Sequence, residues 1–314
     1  MLEYFQTSLI GYTLSLICVP PGILFFYIAL TKTPPPMIAY RNTLLKIWFW
    51  YYVSMFAFGV FLQPVLLFHD SQIYGKCAGP SCRSYPKSIY LLWYSGLAGL
   101  ANAAASLVLG SLHRYAQLGC QRLAIFLNSA GGIVFCVLVH LLFIAIMALG
   151  TYLFLKHTEE ATINGEFFLK FSIRDNPEFA LAMAAISATF LLGGLFISVL
   201  LVLIIRALRK QRHLMSERTY KMQKSLTISL IILTFLPLFF DVIPIFLAAF
   251  AFAQLHPLTP EIFALAAHLP FADVFLSCVV TLAFIKPYRE AVKKIILRRK
   301  TEVESVPVVC VKMT

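Results

Sequence analysis

The chain has 314 residues, of which 60% are hydrophobic and 13% are charged, and its mean hydropathy is +0.82. Soluble domains are about 45–50% apolar and about 25% charged, so this composition excludes an ordinary soluble globular domain and predicts a membrane protein. The formal net charge is +12. Because the basic residues are divided among short segments beside apolar stretches, they predict no nucleic-acid-binding face.

Seven apolar stretches are long enough to cross a bilayer as helices, which takes about 20 residues each. We place them at about residues 8–30, 43–68, 88–112, 123–155, 179–205, 225–252 and 261–285. The fourth stretch is too long for one untilted span and too short for two, so we expect its outer end to tilt or to project from the bilayer.

The predicted fold is therefore an all-α membrane protein, a seven-transmembrane helix bundle. Residues 1–285 are predicted to form the seven-helix transmembrane domain, and residues 286–314 a basic tail on the cytoplasmic side. The start of this tail has apolar and basic residues at helical spacing, which predicts a short helix on the membrane surface.

The positions of Lys and Arg predict the orientation, because these residues are enriched in cytoplasmic loops. One set of alternate connecting segments is strongly basic. The opposite set holds only six of the 26 Lys and Arg residues: Lys76, Arg83, Lys87, Lys156, Lys170 and Arg174. We therefore expect the N-terminus outside the plasma membrane and the C-terminus inside. The basic loop between the fifth and sixth stretches either reflects topology and anionic lipid alone or also forms a docking surface for a cytoplasmic partner.

Two cysteines, Cys77 and Cys82, lie in the predicted outer segment after the second stretch. Oxidising surroundings favour a disulfide between near thiols, and Gly79 and Pro80 can turn the chain between them. The alternative is two free or separately paired thiols, because sequence alone does not determine the geometry of pairing.

Common catalytic and cofactor-binding motifs are missing from the sequence. It contains no Walker lysine loop, dinucleotide glycine fingerprint, HExxH or GxSxG. Asp241 and Asp273 have neither a flanking glycine motif nor a shared spacing that would predict a catalytic pair. We therefore predict no enzyme, no cofactor and no metal site.

One carboxylate, Asp241, lies in the sixth apolar stretch between Pro237 and Pro244. An ionisable group in hydrocarbon costs about 2.5–3.5 kcal/mol on insertion scales, so it normally faces the bundle interior or a wet cavity. Each proline removes a backbone hydrogen bond, which predicts helix kinks on both sides of Asp241. A helical rise of about 1.5 Å per residue places Asp241 in the outer half of the span.

Other polar residues are expected at related depths. His140 in the fourth stretch and His268 in the seventh fall near the depth of Asp241, whereas Asp273 lies nearer the middle. Ser277 follows Asp273 by four residues and can share its helix face. We predict that these five residues bind a small external molecule in the outer half of the bundle. The alternative is a structural role, with each group satisfied by hydroxyls or backbone.

Short motifs along the chain resemble nematode serpentine chemoreceptors, most closely those of class H. The stretch PPGILFFYIALTKTPPPMIAYR resembles the start of these receptors, and FIKPYREAV resembles the close of their seventh span. The chain departs from the usual class pattern at Leu112-His113-Arg114, where only the arginine is kept, and at Asp273-Val274 and Ser277-Cys278. The matching positions are Pro20, Tyr27, Thr33, Pro34, Met37, Arg41, Leu44, Leu45, Trp50, Gln223, Pro237 and Pro244.

This resemblance implies a chemosensory G-protein-coupled receptor, active in olfaction in the sensory cilium of a neuron and coupled to a heterotrimeric G protein. Arg114 and Tyr115 at the inner end of the third span are then candidate G-protein contacts, as are Lys221 and Lys224 before the sixth span. For Arg114 the alternative is an ordinary basic residue of an inner loop. The rival functions are a ligand-gated ion channel and a small-molecule transporter. The sequence does not distinguish a monomeric receptor from an oligomer.

The predicted orientation can be tested with epitope tags at both ends of the expressed chain. We expect antibodies to reach the N-terminal tag in intact cells and the C-terminal tag only after permeabilisation, because the basic segments stay in the cytoplasm. The reverse pattern would indicate an inverted protein. Both tags on one side would contradict an odd number of spans.

Overall fold

A computed structural model gives the fold, and it describes residues 2–69, 72–81, 85, 87–156, 158–163, 166–171, 177–254 and 258–296. Seven helices in these ranges are long and apolar enough to cross a membrane. Helices suit this environment because their backbone groups bond within the same segment. The predicted seven-transmembrane bundle is confirmed.

The seven spans are named α1 to α7. Their bounds are α1 (Leu2–Thr31), α2 (Ile38–Met55), α3 (Ser88–Gly119), α4 (Ala130–Leu155), α5 (Pro177–Lys210), α6 (Glu217–Pro237) and α7 (Thr259–Phe284). Two spans continue beyond these bounds: α2 as a π-helix, Phe56–Leu62, and α6 as a π-helix, Leu238–Val242, followed by a helix, Ile243–Ala253. Shorter helices occupy Pro35–Met37, Gln121–Leu127, Gln211–Leu214 and Lys286–Ile296.

The second span ends earlier than the sequence predicted. Its helix stops at Leu62, because Gln63 has a φ of 45° in the left-handed region and Pro64 has no N–H to continue the hydrogen bonding. Residues Pro64–His69 form a strand, β1, instead. The predicted limit at residue 68 was therefore wrong.

The long fourth stretch is divided into two helices. Ser129 caps α4, since its Oγ accepts a hydrogen bond from the backbone N–H of Gly132 at 3.3 Å. The residues before this cap belong to the short helix Gln121–Leu127, which follows α3. The excess length thus lies at the start of the fourth stretch, whereas the sequence analysis expected it at the outer end.

A four-stranded antiparallel sheet, which the sequence analysis did not predict, joins the segments after α2 and α4. Its other strands are β2 (Gln72–Cys77), β3 (Thr158–Ile163) and β4 (Glu166–Phe171), and the order is β1-β2-β4-β3. We call this end of the bundle the sheet end. Alternating side chains bury one face, with Leu66, Ile73 and Phe171 in a common cluster.

Ion pairs neutralise several basic residues at the sheet end. Lys87 Nζ lies 3.6 Å from Glu160, Lys170 Nζ lies 3.2 Å from Glu159, and Lys76 pairs with Glu166. Lys156 Nζ lies 2.9 Å from Glu178, and this hydrogen-bonded contact raises the pKa of Lys156. The charge contrast between the two ends is therefore larger than the count of basic residues alone suggests.

The predicted disulfide falls partly within the described chain. Cys77 is disulfide-bonded, whereas Cys82 lies outside the described residues. Cys18, Cys120, Cys136 and Cys278 are free thiols. The pairing of Cys77 with Cys82 stays a prediction.

The core at the opposite end is aromatic and includes the helix that follows α7. The Phe25 ring of α1 lies 5.3 Å from Trp48 of α2 and 6.4 Å from Tyr288, and Tyr288 Oη lies 2.9 Å from Thr33 Oγ1. Burial raises the pKa of Tyr288. Helix Lys286–Ile296 is thus tied to α1, and its location on the membrane surface stays a prediction. Residues 297–314 of the predicted tail lie outside the described chain.

Helices α2 and α3 approach each other closely at Gly99. A Cβ at this position would lie 2.9 Å from the Ser54 backbone N and 3.0 Å from the Trp50 carbonyl O. Backbone atoms cannot rotate away as a side-chain end can. The contact therefore requires glycine and determines the α2–α3 spacing around the site described below.

We expect Gly99→Leu to reduce the free energy of unfolding by about 1–3 kcal/mol, because overpacking displaces helix backbones. The matched control is Gly194→Leu on α5, where a Cβ would meet nothing within 4 Å. Thermal unfolding and cell-surface expression of both variants measure the difference. Equal stability of the two variants would contradict the close approach.

Candidate functional site

Two buried carboxylates meet at the junction of α2, α6 and α7. Asp241 in the π-helix of α6 is 4% exposed, and Asp273 on α7 is 0% exposed. Tyr51 Oη of α2 donates to Asp241 Oδ2 at 3.2 Å, and Ser277 Oγ donates to Asp273 Oδ1 at 2.9 Å. Tyr51 also interacts with Asp273. We call Tyr51, Asp241, Asp273 and Ser277 the carboxylate cluster.

The cluster is only partly satisfied by hydrogen bonds. Asp241 Oδ1 and Asp273 Oδ2 have no hydrogen-bond partner among the described residues. Burying a polar group without a partner is unfavourable, and intramembrane ionisable residues are functional candidates for that reason. The cluster can exchange hydrogen bonds between helices. No group of three or more His, Cys, Asp or Glu side chains within the described ranges could hold a metal ion.

The local sequence of α6 explains why Asp241 lies in a π-helical turn. Pro237 ends the regular α-helix, and Pro244 near the start of the next helix has no N–H for the turn before it. The wider π-helix, Leu238–Val242, fills the interval between them. Such turns often occur at functional sites. The hydrogen-bonding pattern thus changes between the two prolines, and a kink at either proline stays a prediction.

The two histidines have partners away from the cluster. His140 Nδ1 on α4 lies 2.7 Å from Asn102 Oδ1 on α3, and its ring stacks on Trp50 at a centroid distance of 6.3 Å. His268 Nδ1 lies 2.6 Å from the carbonyl O of Ala264 on the same helix. The structure therefore brings together Asp241, Asp273 and Ser277, while His140 and His268 bond elsewhere.

An apolar cavity of about 130 Å³ lies beside the cluster at the sheet end. It is bounded by α2, α3, α6 and α7, and strands β1 and β4 contribute Leu66 and Phe171 to its lining. Tyr51 belongs to both the cavity wall and the carboxylate cluster. Tyr51 therefore connects the cavity wall to the buried carboxylates.

Aromatic rings form much of the cavity wall. The Trp93 and Phe263 rings are parallel within 7° at a centroid distance of 5.9 Å, and Phe58 meets Trp93 edge-on at 6.0 Å. Offset and edge-to-face contacts are the favourable arrangements of such rings. Small residues leave the space between them open: Ser54, Ala248, Ala249, Ala266 and Ala267.

Sequence reasoning missed the residues of this cavity. The adjacent alanines Ala248-Ala249 and Ala266-Ala267 are a weak signal, because small residues also occur at ordinary helix contacts in membranes. The two sheet residues could not be found without the strand pairing. Polar residues in apolar stretches are a stronger signal, because burying them in lipid is costly.

At the opposite end, Arg114 joins α3 to α6. Its side chain is 6% exposed, and Nη2 donates to the carbonyl O of Gln223 at 3.0 Å. Tyr115 beside it is half-buried, while Lys221 and Lys224 on α6 are exposed. Lys221 Nζ lies 2.6 Å from Glu217. The four predicted coupling residues thus lie on α3 and α6 at the end away from the sheet.

Comparison with known families agrees with this architecture. A family model described as serpentine type 7TM GPCR chemoreceptor Srh matches residues 4–298. No curated protein sequence matches the chain. The matched region runs from α1 through helix Lys286–Ile296 and contains the carboxylate cluster, the cavity and Arg114. It confirms the resemblance seen in the sequence motifs, and the chain belongs to the Srh family of serpentine seven-transmembrane G-protein-coupled chemoreceptors.

Proposed function

We propose that this protein binds a small external molecule at the sheet end and signals to a heterotrimeric G protein at the opposite end. The observation that carries this proposal is the apolar cavity beneath β1 and β4, in contact with a buried polar cluster. With the N-terminus outside, the cavity lies in the outer half of the bundle. We place the receptor in the plasma membrane of a sensory cilium, as the family resemblance implies.

Tyr51 provides a physical route from the cavity to α6. An occupant of the cavity contacts the Tyr51 ring, and the Tyr51 hydroxyl bonds Asp241 within the π-helix of α6. A ligand shifts a conformational equilibrium only by its differential affinity for the two arrangements. In this proposal the ligand favours the arrangement in which Tyr51 and Asp241 change their contact and α6 moves.

Direct contact of the five predicted residues with a ligand stays a prediction, but none of the five belongs to the cavity wall. In this proposal Asp241, Asp273 and Ser277 do not contact the ligand directly. They respond to it through the hydroxyl of Tyr51. His140 and His268 hold α3, α4 and α7 around the site through their bonds to Asn102 and Ala264.

Arg114 is the proposed contact at the other end. Its bond to the Gln223 carbonyl holds α3 against α6, so movement of α6 would free the guanidinium for a G protein. Tyr115, Lys221 and Lys224 surround the space that this movement would open. A guanidinium suits the task because it presents several donors in a fixed plane.

A cell reporter assay tests the function. The receptor is expressed with a panel of Gα subunits, and small organic molecules are screened for concentration-dependent signals. We expect Arg114→Gln to reduce the maximal signal about tenfold or more, as loss of a charged hydrogen bond predicts. Arg209→Gln on α5, which removes an exposed charge, is the matched control.

Two outcomes of this assay would contradict the proposal. If both arginine variants signal like the native receptor, Arg114 does not contact the G protein. If a ligand evokes membrane current while G-protein signalling is blocked, the protein is a ligand-gated channel.

The role of Tyr51 is tested by removing its hydroxyl alone. We expect Tyr51→Phe to lower the reporter signal about tenfold, because the hydrogen bond to a buried carboxylate is lost while the ring of the cavity wall is kept. Tyr52→Phe is the matched control, since Tyr52 Oη donates to the Cys18 carbonyl at 2.8 Å. Both variants are compared at equal surface expression. Equal signals from the two would show that Tyr51 does not transmit occupancy.

A further inference from the structure

We infer that the cavity takes an uncharged, predominantly apolar molecule about as large as a single six-membered ring. This inference rests on the proposed receptor function, because it names the class of ligand for the same site. It follows from the volume of the cavity, the chemistry of its wall and the position of Tyr51.

The volume sets the size of the ligand. A cavity of about 130 Å³ is close to an engineered protein cavity of about 150 Å³ that binds benzene or xenon. Trp93 and Phe263, whose rings are parallel to each other, both line the space. A ring or a branched chain of similar bulk matches both its size and its shape.

The wall excludes charge. Among the described residues, those that line the cavity include no Asp, Glu, Lys, Arg or His. A charged ligand would lose its hydration there without gaining an opposite charge. Asp241 and Asp273 are nearby, but Tyr51 stands on the wall and Asp241 does not line it. The carboxylate cluster therefore offers no direct ion pair to a molecule in the cavity.

The wall also disfavours water as the occupant. A buried water molecule needs two to four polar partners, whereas aromatic rings and alanines supply most of this lining. The Tyr51 hydroxyl is already bonded to Asp241. An apolar molecule thus gains more from entering than water does, and one polar substituent of that molecule could face Tyr51.

The small lining residues make the inference testable. Ala249 on α6 and Ala267 on α7 face the cavity, so that a phenylalanine at either position would place a ring in the space itself. Ala283, on the same helix as Ala267, is exposed on the outside of the bundle. The same substitution there changes composition equally and leaves the cavity open.

The test measures thermal unfolding of the full-length receptor in lipid nanodiscs with three probes: fluorobenzene, 4-fluorobenzoate and 4-fluorobenzylammonium. We expect saturating fluorobenzene to raise the melting temperature of the native receptor and of Ala283→Phe by at least about 2 °C, as ligand linkage predicts. It should not raise the melting temperature of Ala249→Phe or of Ala267→Phe. The two charged probes should have no effect on any of these proteins.

Three outcomes would overturn the inference. Equal shifts in the filled and control variants would mean that fluorobenzene acts through the lipid. A shift caused by a charged probe would mean that the site accepts charge, and the loss of that shift in Asp241→Asn would identify the carboxylate as its partner. If either filled variant fails to fold, Phe263→Ala replaces it: this wider cavity should respond to fluoronaphthalene while the native cavity does not, and an unchanged preference would overturn the inference.

The experiments distinguish failure of the inferred ligand class from failure of the proposed receptor function. If fluorobenzene binds as expected but no uncharged ring compound evokes a G-protein signal, the ligand class stands and the receptor function falls. If a charged molecule evokes a signal that survives Ala249→Phe, the receptor function stands and the ligand class falls.

Discussion

Lipid cannot solvate the carboxylate of Asp241, and the arrangement of the bundle centre depends on that constraint. The group must face inward and find donors there, and Tyr51 supplies one from α2. Asp273 has the same requirement, which Ser277 meets from the next turn of α7. Tyr51 thereby joins α2 to α6, and α7 brings Asp273 to the same junction. Two carboxylate oxygens there have no hydrogen-bond partner among the described residues. The junction is therefore only partly stabilised by hydrogen bonds, which fits the switching role that we propose for it.

The cavity and the sheet follow from the same environment. Aromatic and small side chains from four spans leave a space that hydrocarbon-like molecules can occupy, and β1 and β4 border it at the sheet end. The segments after α2 and α4 satisfy each other's backbone hydrogen-bonding groups, because β2 pairs with β4. Ion pairs between its lysines and glutamates keep that end nearly neutral.

At the far end the bundle is held by a different kind of contact. Arg114 is buried and bonds a backbone carbonyl of α6 rather than a carboxylate. A neutral carbonyl binds a guanidinium less strongly than an ionised acid does, so this contact is easier to release. The aromatic core around Phe25, Trp48 and Tyr288 fixes α1, α2 and the last helix. The proposed function therefore assigns movement at this end to α6.

The seven spans and the presence of inward-facing carboxylates could be predicted from the sequence, because apolar length and the cost of burying charge are local properties. The family could be predicted from short motifs. Asp273 and Ser277 could be paired from spacing alone. The remaining features depend on contacts between distant segments. Tyr51 and Asp241 are 190 residues apart, His140 bonds Asn102 rather than the carboxylates, and the strands join segments after different spans. A cavity is the space left by helices that pack together, and no single stretch of sequence carries that information.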